Sequence, residues 1–210
     1  MEGSYHFAMR VGTEVQFRTM VLYILDMNQF EQSEYCEEQP KHKKHHAAGQ
    51  YLLRQVLGKE VYEQAEFAKG EHGKPYIKGH PIHYNISHSE RYVVLVVANS
   101  EVGVDVQEKK PVRMETMAKR FFSTKEWQTF SACDSEKRKK DLFFHIWCRK
   151  EAYGKYLGVG LSKEVLTTNM LSDIEGCYFQ EYCELEGYQI SICCGKEENV
   201  EEVISVFEGL

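Results

Sequence analysis

An acidic residue in an apolar, strand-like segment is the first feature of this sequence that could do chemistry. In Val102-Gly-Val-Asp-Val-Gln107 three valines alternate with Gly103, Asp105 and Gln107, and successive side chains of a strand point to opposite faces. Asp105 therefore shares a face with a glycine that leaves room for a ligand, and it could bind a cation. A solvent-facing acid on the outer face of a sheet explains the same pattern.

A second candidate is the pair Glu151 and Lys155, four residues apart in a long predicted helix and therefore on one face of it. Phe144 and Trp147 share or border that face, so an ion pair there would be partly desolvated. Asp105 and Glu151 together could hold Mg²⁺, which needs only one or two protein carboxylates and takes water and phosphate oxygens as its other ligands. An ordinary surface ion pair is the alternative.

Two polar motifs could contact a phosphate group. Lys41-His-Lys-Lys-His-His46 leads into a predicted helix, and a helix N-terminus favours anions. Histidine-rich tracts also bind metals, and a solvated charge run is the simplest alternative. Asn85-Ile-Ser-His-Ser89 lies at the end of a predicted strand, where Ser87 and His88 offer a hydroxyl and an imidazole. A single histidine of this kind is more often structural.

The elements that position these residues follow from hydrophobic periodicity and from the glycines and prolines that interrupt it. We predict strands at 19–27, 82–87, 92–98, 102–107, 178–185, 188–194 and 200–207. We predict helices at 43–57, 113–122, 124–132 and 137–157, with Ser123 capping the helix at 124–132. The strands at 92–98 and 102–107 should form a hairpin through an Asn-Ser turn, and those at 178–185 and 188–194 a second hairpin across Glu186-Gly187.

This order of elements predicts an α+β fold with two halves, residues 1–104 and 105–210, rather than one Rossmann sheet. Each half is expected to pack a helix on a small antiparallel sheet. The sequence has no G-x-G-x-x-G and no Walker A motif, so a nucleotide-binding fold of those kinds has no support.

Composition excludes several classes of protein. The 26 basic and 32 acidic residues give a net charge of −6, which argues against a protein that coats nucleic acid. The N-terminal segment lacks the apolar region of a secretion signal, and the longest apolar runs fall far short of the ~20 residues that span a bilayer. None of the seven cysteines has C-x-x-C spacing, so we expect reduced thiols in a cytoplasmic protein.

Five motifs, in this order and spacing, closely resemble the 4′-phosphopantetheinyl transferase superfamily, Sfp type. They are Gly73-Lys-Pro-Tyr, Asn85-Ile-Ser-His-Ser89, Val102-Gly-Val-Asp105, Phe121-Phe-Ser-x-x-Glu126 and Trp147-Cys-Arg-Lys-Glu151-Ala-x-x-Lys155. The strand Gly187-Tyr-x-Ile-Ser-Ile is similar to a late hairpin of the same family. The resemblance covers roughly residues 43–194, and its most specific parts are the G-V-D strand and the W-x-x-K-E-A-x-x-K helix.

The resemblance implies a pseudo-duplicated fold that binds coenzyme A and Mg²⁺ between two similar halves, and a monomer with a complete site. It implies transfer of the 4′-phosphopantetheine arm of coenzyme A to a serine of an apo acyl or peptidyl carrier protein, with release of 3′,5′-ADP. By motif position, Asp105 and Glu151 are the expected Mg²⁺ ligands, and Lys155 is expected beside the pyrophosphate. The further coenzyme A contacts implied in this way are Lys74, Ser87, His88 and, as a weaker match, His46.

Two departures from the family pattern bear on the site. Gln107 stands where many members have a glutamate, so a neutral carbonyl or a water takes that place at the cation. The acidic segment 31–38 lacks the bases that some relatives use there, which leaves phosphate contacts to Lys43, Lys44 and His45.

Physical chemistry is consistent with the implied reaction. Mg²⁺ and Lys155 would stabilise the charge that develops on the pyrophosphate, and Glu151, directly or through a water, could activate the serine hydroxyl. Carrier proteins of this kind are acidic, and Lys119-Arg120 with 137–140 could supply a local basic patch. A Mg²⁺-dependent phosphohydrolase and a non-catalytic module that binds coenzyme A or a carrier are the two alternatives.

Overall fold

The computed structural model describes residues 9–11, 14–16, 20–32, 36, 40, 43–195 and 200–206. The strands are β1 Met9–Val11, β2 Glu14–Gln16, β3 Met20–Asp26, β4 Phe67–Lys69, β5 Pro75–Ile77, β6 His83–Ser89, β7 Tyr92–Ala98, β8 Val102–Glu108, β9 Tyr178–Tyr182, β10 Tyr188–Cys194 and β11 Val200–Val206. The helices are α1 Met27–Phe30, α2 Lys44–Leu57, α3 Lys59–Gln64, α4 Met114–Phe121, α5 Thr124–Ser131, α6 Glu136–Leu157 and α7 Lys163–Thr167.

A four-stranded sheet in the order β11-β3-β7-β6 forms the first layer. The amphipathic helix α2 packs on one face of it, with Leu52 and Leu53 fully buried against Leu25 and Leu95 of the sheet. Gly49 leaves room for this contact, because a Cβ there would lie 3.1 Å from a methyl group of Ile86, closer than most such contacts. This layer carries the Asn85–Ser89 motif on β6.

A three-stranded antiparallel sheet in the order β8-β10-β9 forms the second layer, and the long helix α6 packs on its outer face. The inner faces of the two sheets share a core of β-branched and other apolar residues. Its fully buried members include Leu22, Val94, Val96, Val102, Val104, Val106 and Ile190. The two layers, each a helix on a small sheet, therefore meet face to face along β8.

The structure confirms the α+β class and the helix-on-sheet construction of each layer. All the predicted strands and helices are present, with ends shifted by at most three residues; Thr19 and Phe207, at the ends of two predicted strands, lie outside the described residues. The hairpins β1-β2 and β4-β5 and the short helices α1, α3 and α7 were not predicted. Strand β11 runs parallel to β3, which makes the first sheet mixed rather than wholly antiparallel.

The predicted hairpin between β7 and β8 is wrong, because the two strands belong to different sheets. Both edges of β7 are already occupied, one by β3 and the other by β6, so β8 has no edge of β7 to pair with. The tight hairpin in this region is instead β6-β7, which turns at Glu90-Arg91.

The proposed boundary between residues 104 and 105 falls inside β8, and β11, from the C-terminal half of the chain, pairs in the first sheet. The division of the chain into two halves at this position stays a prediction. None of the helices in the described part of the chain is both long and apolar enough to pass through a bilayer.

Candidate active site

The face of β8 that carries Asp105 is covered by helix α6 and is not solvated. Val102, Val104 and Val106 face the core between the sheets, as the alternation predicted, and Asp105 is only 2% exposed on the opposite face. Gly103 allows this contact, because a Cβ on it would lie 2.2 Å from the carbonyl oxygen of Ala152 in α6. The glycine beside the aspartate thus lets strand and helix backbones touch and brings α6 over the carboxylate.

Three side chains hold the Asp105 carboxylate. Ser87 Oγ donates to Oδ1 at 2.8 Å, and Lys155 Nζ donates to the same oxygen at 2.6 Å. Gln107 Nε2 donates to Oδ2 at 2.8 Å. Lys155 Nζ also donates to Ser87 Oγ at 2.8 Å. The structure therefore joins residues of β6, β8 and α6 in one hydrogen-bond network.

The alternating polar residues of β6 explain how β6 and β8 come together. Asn85 Oδ1 accepts from the Val104 N–H at 2.9 Å, Ser87 Oγ from the Val106 N–H at 3.3 Å, and Ser89 Oγ from the Glu108 N–H at 2.9 Å. These side chains replace a neighbouring strand on the edge of β8, whose N–H groups would otherwise be left unpaired. The Asn-x-Ser-x-Ser motif thus holds β6, and with it the first layer, against β8, the strand that carries Asp105.

Glu151 lies one turn before Lys155 on α6 and is partly buried beside Asp105. Burial raises the pKa of the Glu151 carboxyl, the charge of Asp105 raises it further, and Lys155 opposes both. Two carboxylates that repel each other in a partly desolvated environment favour a cation between them.

Imidazoles lie next to this cluster. The rings of His45 and His88 stack with centroids 4.8 Å apart, and His45 Nε2 donates to the Glu90 carbonyl at 2.6 Å. The pKa of His88 is lowered by burial, then by His45 and Lys155, while Asp105 opposes the shift. The start of α2, next to these rings, has no side-chain cap from Lys43, so its first N–H groups can meet an anion.

Comparison with known proteins identifies the family. The sequence model of the 4′-phosphopantetheinyl transferase superfamily matches residues 101–198. The chain is similar to the 4′-phosphopantetheinyl transferase Sfp of Bacillus subtilis, with 30% identity over 174 residues, 75% of this chain and 77% of that protein. It is also similar to psf-1 of Bacillus pumilus, with 35% identity over 172 residues, 74% of this chain and 72% of that protein. The chain belongs to the 4′-phosphopantetheinyl transferase superfamily.

The donor set of this transferase fits Mg²⁺. Asp105 and Glu151 supply hard carboxylate oxygens, and their repulsion is the kind that a divalent cation relieves. Within the described ranges, no group of three or more histidine, cysteine or acidic residues is arranged to hold a metal. A site of two carboxylates suits Mg²⁺ because this ion keeps several waters and takes phosphate oxygens from a substrate.

Two other residues of the transferase motifs form a structural ion pair that sequence reasoning missed. Glu126 and Lys150 lie 3.0 Å apart, and both side chains are completely buried. Glu126 also completes a capping box with Ser123 at the start of α5 and accepts from the Met170 N–H. The pair joins α5 to α6, and so fixes the helix that carries Glu151. The S-x-x-E pattern of a capping box was a usable signal for Glu126.

Not all of the predicted coenzyme A contacts lie together. Ser87 and Lys155 contact Asp105 and His88 lies near them, whereas Lys74 lies at the C-terminal end of α6 and donates to the Tyr156 carbonyl. Lys44 forms an ion pair with Glu31 at 3.0 Å, and His46 is exposed in the first turn of α2. Lys41 and His42 of the basic tract lie outside the described residues.

Proposed function

We propose that this transferase moves the 4′-phosphopantetheine arm of coenzyme A onto a serine of an apo acyl or peptidyl carrier protein. The observation that carries the proposal is the convergence of Asp105, Glu151 and Lys155 where β8 meets α6, in a chain of this family. The serine oxygen forms a bond to the phosphorus that bears the pantetheine. The bond from that phosphorus to the bridging oxygen breaks, and 3′,5′-ADP leaves.

Lys155 binds and orients the pyrophosphate in this proposal. Its side chain is 27% exposed, and among the described residues its ammonium donates to Ser87 and Asp105, so one of its three protons is available to a substrate oxygen. Its positive charge lies where negative charge develops in the transition state. Ser87 and Asp105 hold the ammonium in this position before the substrate arrives.

Glu151 accepts the proton of the carrier serine, directly or through a water. A partly buried carboxylate, with its pKa raised by burial and by Asp105, is a stronger base than an exposed glutamate. Asp105 and Glu151, with Gln107 beside them, would hold Mg²⁺. When bound, this ion supplies charge neutralisation and polarisation of the phosphate oxygens.

The imidazole-rich surface beside Asp105 and Lys155 is proposed to bind the 3′-phosphate of coenzyme A. Its members are His88, His46 and Lys44, together with the uncapped N-terminus of α2. We expect dephospho-coenzyme A to bind more weakly than coenzyme A, and His88→Ala to reduce that difference. Calorimetry with both ligands tests this expectation. Equal affinities of the wild type for the two ligands would contradict the proposed phosphate site.

An acidic carrier protein is the proposed partner, and exposed bases on α4 and at the start of α6 support it. Lys119 and Arg120 are exposed at the end of α4, and Lys137 and Arg138 are exposed at the start of α6. The residues proposed for the reaction all lie in one chain, so a monomer would suffice. The seven free cysteines are compatible with a reducing cytoplasm.

Mass spectrometry of an apo carrier incubated with the protein, coenzyme A and Mg²⁺ tests the proposal. The expected result is a mass increase of the carrier by one phosphopantetheine and the appearance of 3′,5′-ADP. Asp105→Ala serves as the matched inactive control. Release of phosphate compounds without any carrier would indicate a phosphohydrolase, and coenzyme A binding without turnover would indicate a binding module.

A further inference from the structure

Lys74 occupies a position between the last turn of α6 and the first residues of β8. Its Nζ donates to the Tyr156 carbonyl at 3.0 Å, to the Val102 carbonyl at 3.0 Å and to Glu101 Oε2 at 2.5 Å. An ammonium has three protons, and these three acceptors use all of them. The side chain is only 17% exposed, so its ammonium is held by contacts within the protein.

Both carbonyl acceptors are next to residues of the catalytic cluster. Tyr156 follows Lys155 in α6, and Val102 precedes Gly103, the residue at which β8 touches α6. Carbonyls in the last turn of a helix lack intrahelical donors, and a cation is favoured there by the helix dipole. One side chain therefore fixes the end of the catalytic helix to the start of the catalytic strand.

The surroundings of Lys74 hold its ammonium in this place. His83 Nδ1 donates to Glu101 Oε1 at 3.0 Å, which orients the carboxylate that receives the lysine. The aliphatic stem passes over Gly158, where a Cβ would lie 3.5 Å from Lys74 Cδ. Gly158 ends α6 in the left-handed conformation, with φ at 69°. The lysine thus packs on the turn that terminates the helix and bonds to the carbonyl just before it.

We propose that Lys74 is a positioning residue for the transfer reaction, which sets the register of α6 on β8 and thereby the placement of Lys155 against Asp105. The inference rests on the proposed function. The rival is direct contact with coenzyme A, as the family resemblance implies, since Lys74 also lines a cleft of 580 Å³ with His72 and Tyr76.

Lys74→Met separates the two roles, because it keeps the stem and removes the ammonium. A positioning role predicts that kcat at saturating coenzyme A falls about 10-fold to 100-fold, since a displacement of about 1 Å costs up to that much. The KM for coenzyme A should change by less than about threefold, and Lys74→Arg should recover much of the rate. A raised KM with unchanged kcat would establish direct contact and overturn the proposal.

Lys78→Met is the matched control, because Lys78 lies just beyond β5 and, within the described residues, its ammonium pairs with the exposed Glu66 and not with a carbonyl of α6 or β8. It should keep wild-type kcat and KM. Glu101→Gln should lower kcat in the same direction as Lys74→Met but less, because the ammonium keeps its two carbonyls. If Lys74→Met does not fold, Glu101→Gln decides, and wild-type kcat in that variant would overturn the proposal.

Hydrogen exchange on the ligand-free protein separates this inference from the proposed function. The amides of Val159 and Gly160 donate to the Gly154 carbonyl at 3.0 and 3.2 Å and report opening of the end of α6. Lys74→Met should speed their exchange, while Lys78→Met should not. Unchanged exchange would overturn the positioning role whether or not the wild type loads a carrier, whereas an inactive wild type would overturn only the function.

Discussion

Two of the lysines in helix α6, Lys150 and Lys155, lie five residues apart, and each forms an ion pair with a buried acid. Lys150 pairs with Glu126, and both side chains are 0% exposed. Lys155 pairs with Asp105 at 2.6 Å, but its own side chain is 27% exposed. The two pairs use the same chemical groups. They differ in whether the surrounding protein leaves a hydrogen-bond donor of the lysine free to bind a ligand.

In the inner pair, Lys150 with Glu126, the hydrogen bonds of the ammonium are all made within the protein. Besides Glu126, the Lys150 ammonium donates to the carbonyls of Val165, Leu166 and Thr168 at 3.2, 3.1 and 2.8 Å. Burial lowers the pKa of Lys150, while Glu126 raises it. Complete saturation in a water-free interior is the arrangement of a structural pair, since a buried charge is tolerated only when its hydrogen bonds are satisfied.

The outer pair is left partly open to solvent. Within the described chain Lys155 bonds to one carboxylate and one hydroxyl, and the Glu151 carboxyl lies beside them with a raised pKa. The comparison teaches that burial and charge alone do not identify a catalytic pair. The unused donor of Lys155 and the like charge of Glu151 are the features that support the proposed catalytic role of the outer pair.

The largest effect is expected from the outer pair. Asp105→Asn keeps the size of the side chain and removes the charge that would hold a cation and orient Lys155. We expect carrier loading to fall by at least about 10²-fold to 10³-fold, with a cooperative unfolding transition retained. Initial rates and thermal unfolding of the same preparation check this expectation. Near wild-type turnover would exclude Asp105 from the reaction.

The inner pair should give the opposite result. Lys150→Met leaves Glu126 buried without its cation, and breaking such a pair typically costs about 3–5 kcal/mol of the free energy of unfolding. The double variant Lys150→Met/Glu126→Gln removes both charges, keeps an amide oxygen that can accept from the Ser123 or the Met170 N–H, and should recover part of that loss. Urea denaturation measures all three proteins. A double variant as unstable as the single one would show that the acid alone is not the source of the cost.

Local patterns gave correct predictions where one element decides the outcome. The alternation along β8 and the four-residue spacing of Glu151 and Lys155 depend only on the geometry of a strand and a helix, and both were predicted correctly. The separation of β7 from β8 depends on which strand edges are already paired. The pair of Glu126 with Lys150 depends on how α5 folds against α6, and no spacing in the sequence reports that contact.

A smaller effect, which depends on pH, should mark Glu151 in the metal-free protein. The folded-state pKa of Glu151 is raised above its ordinary value of 4.5 by burial and by Asp105. Its contribution to stability is therefore fully present below that ordinary value and is lost as the pH rises through the folded-state pKa. Glu151→Gln, which cannot ionise, should gain stability over the wild type as the pH increases. Denaturation in a chelator between about pH 4 and pH 8 tests this sign.

A difference between Glu151→Gln and the wild type that stays the same at every pH would contradict a raised pKa. The carrier-loading rate gives a second readout with its own sign. If Glu151 is the base, the wild-type rate rises with pH through the pKa of this carboxyl in the bound complex.

The smallest effect concerns the far side of the outer pair, where Gln107 Nε2 donates to Asp105 Oδ2 at 2.8 Å. Gln107→Glu replaces this donor with a carboxylate, so repulsion from Asp105 should destabilise the metal-free protein slightly. The added charge should lower the Mg²⁺ concentration for half-maximal transfer by about threefold to tenfold, because opposite charges attract more strongly in a partly desolvated cleft.

Gln107→Ala should cost less activity than Asp105→Ala, since a water replaces an amide more easily than a carboxylate. Mg²⁺ titrations of carrier loading and of the thermal unfolding midpoint check both statements, because a bound ion stabilises the folded state. Overlapping curves for the wild type, Gln107→Glu and Gln107→Ala would show that Gln107 only orients Asp105 and does not contact the cation.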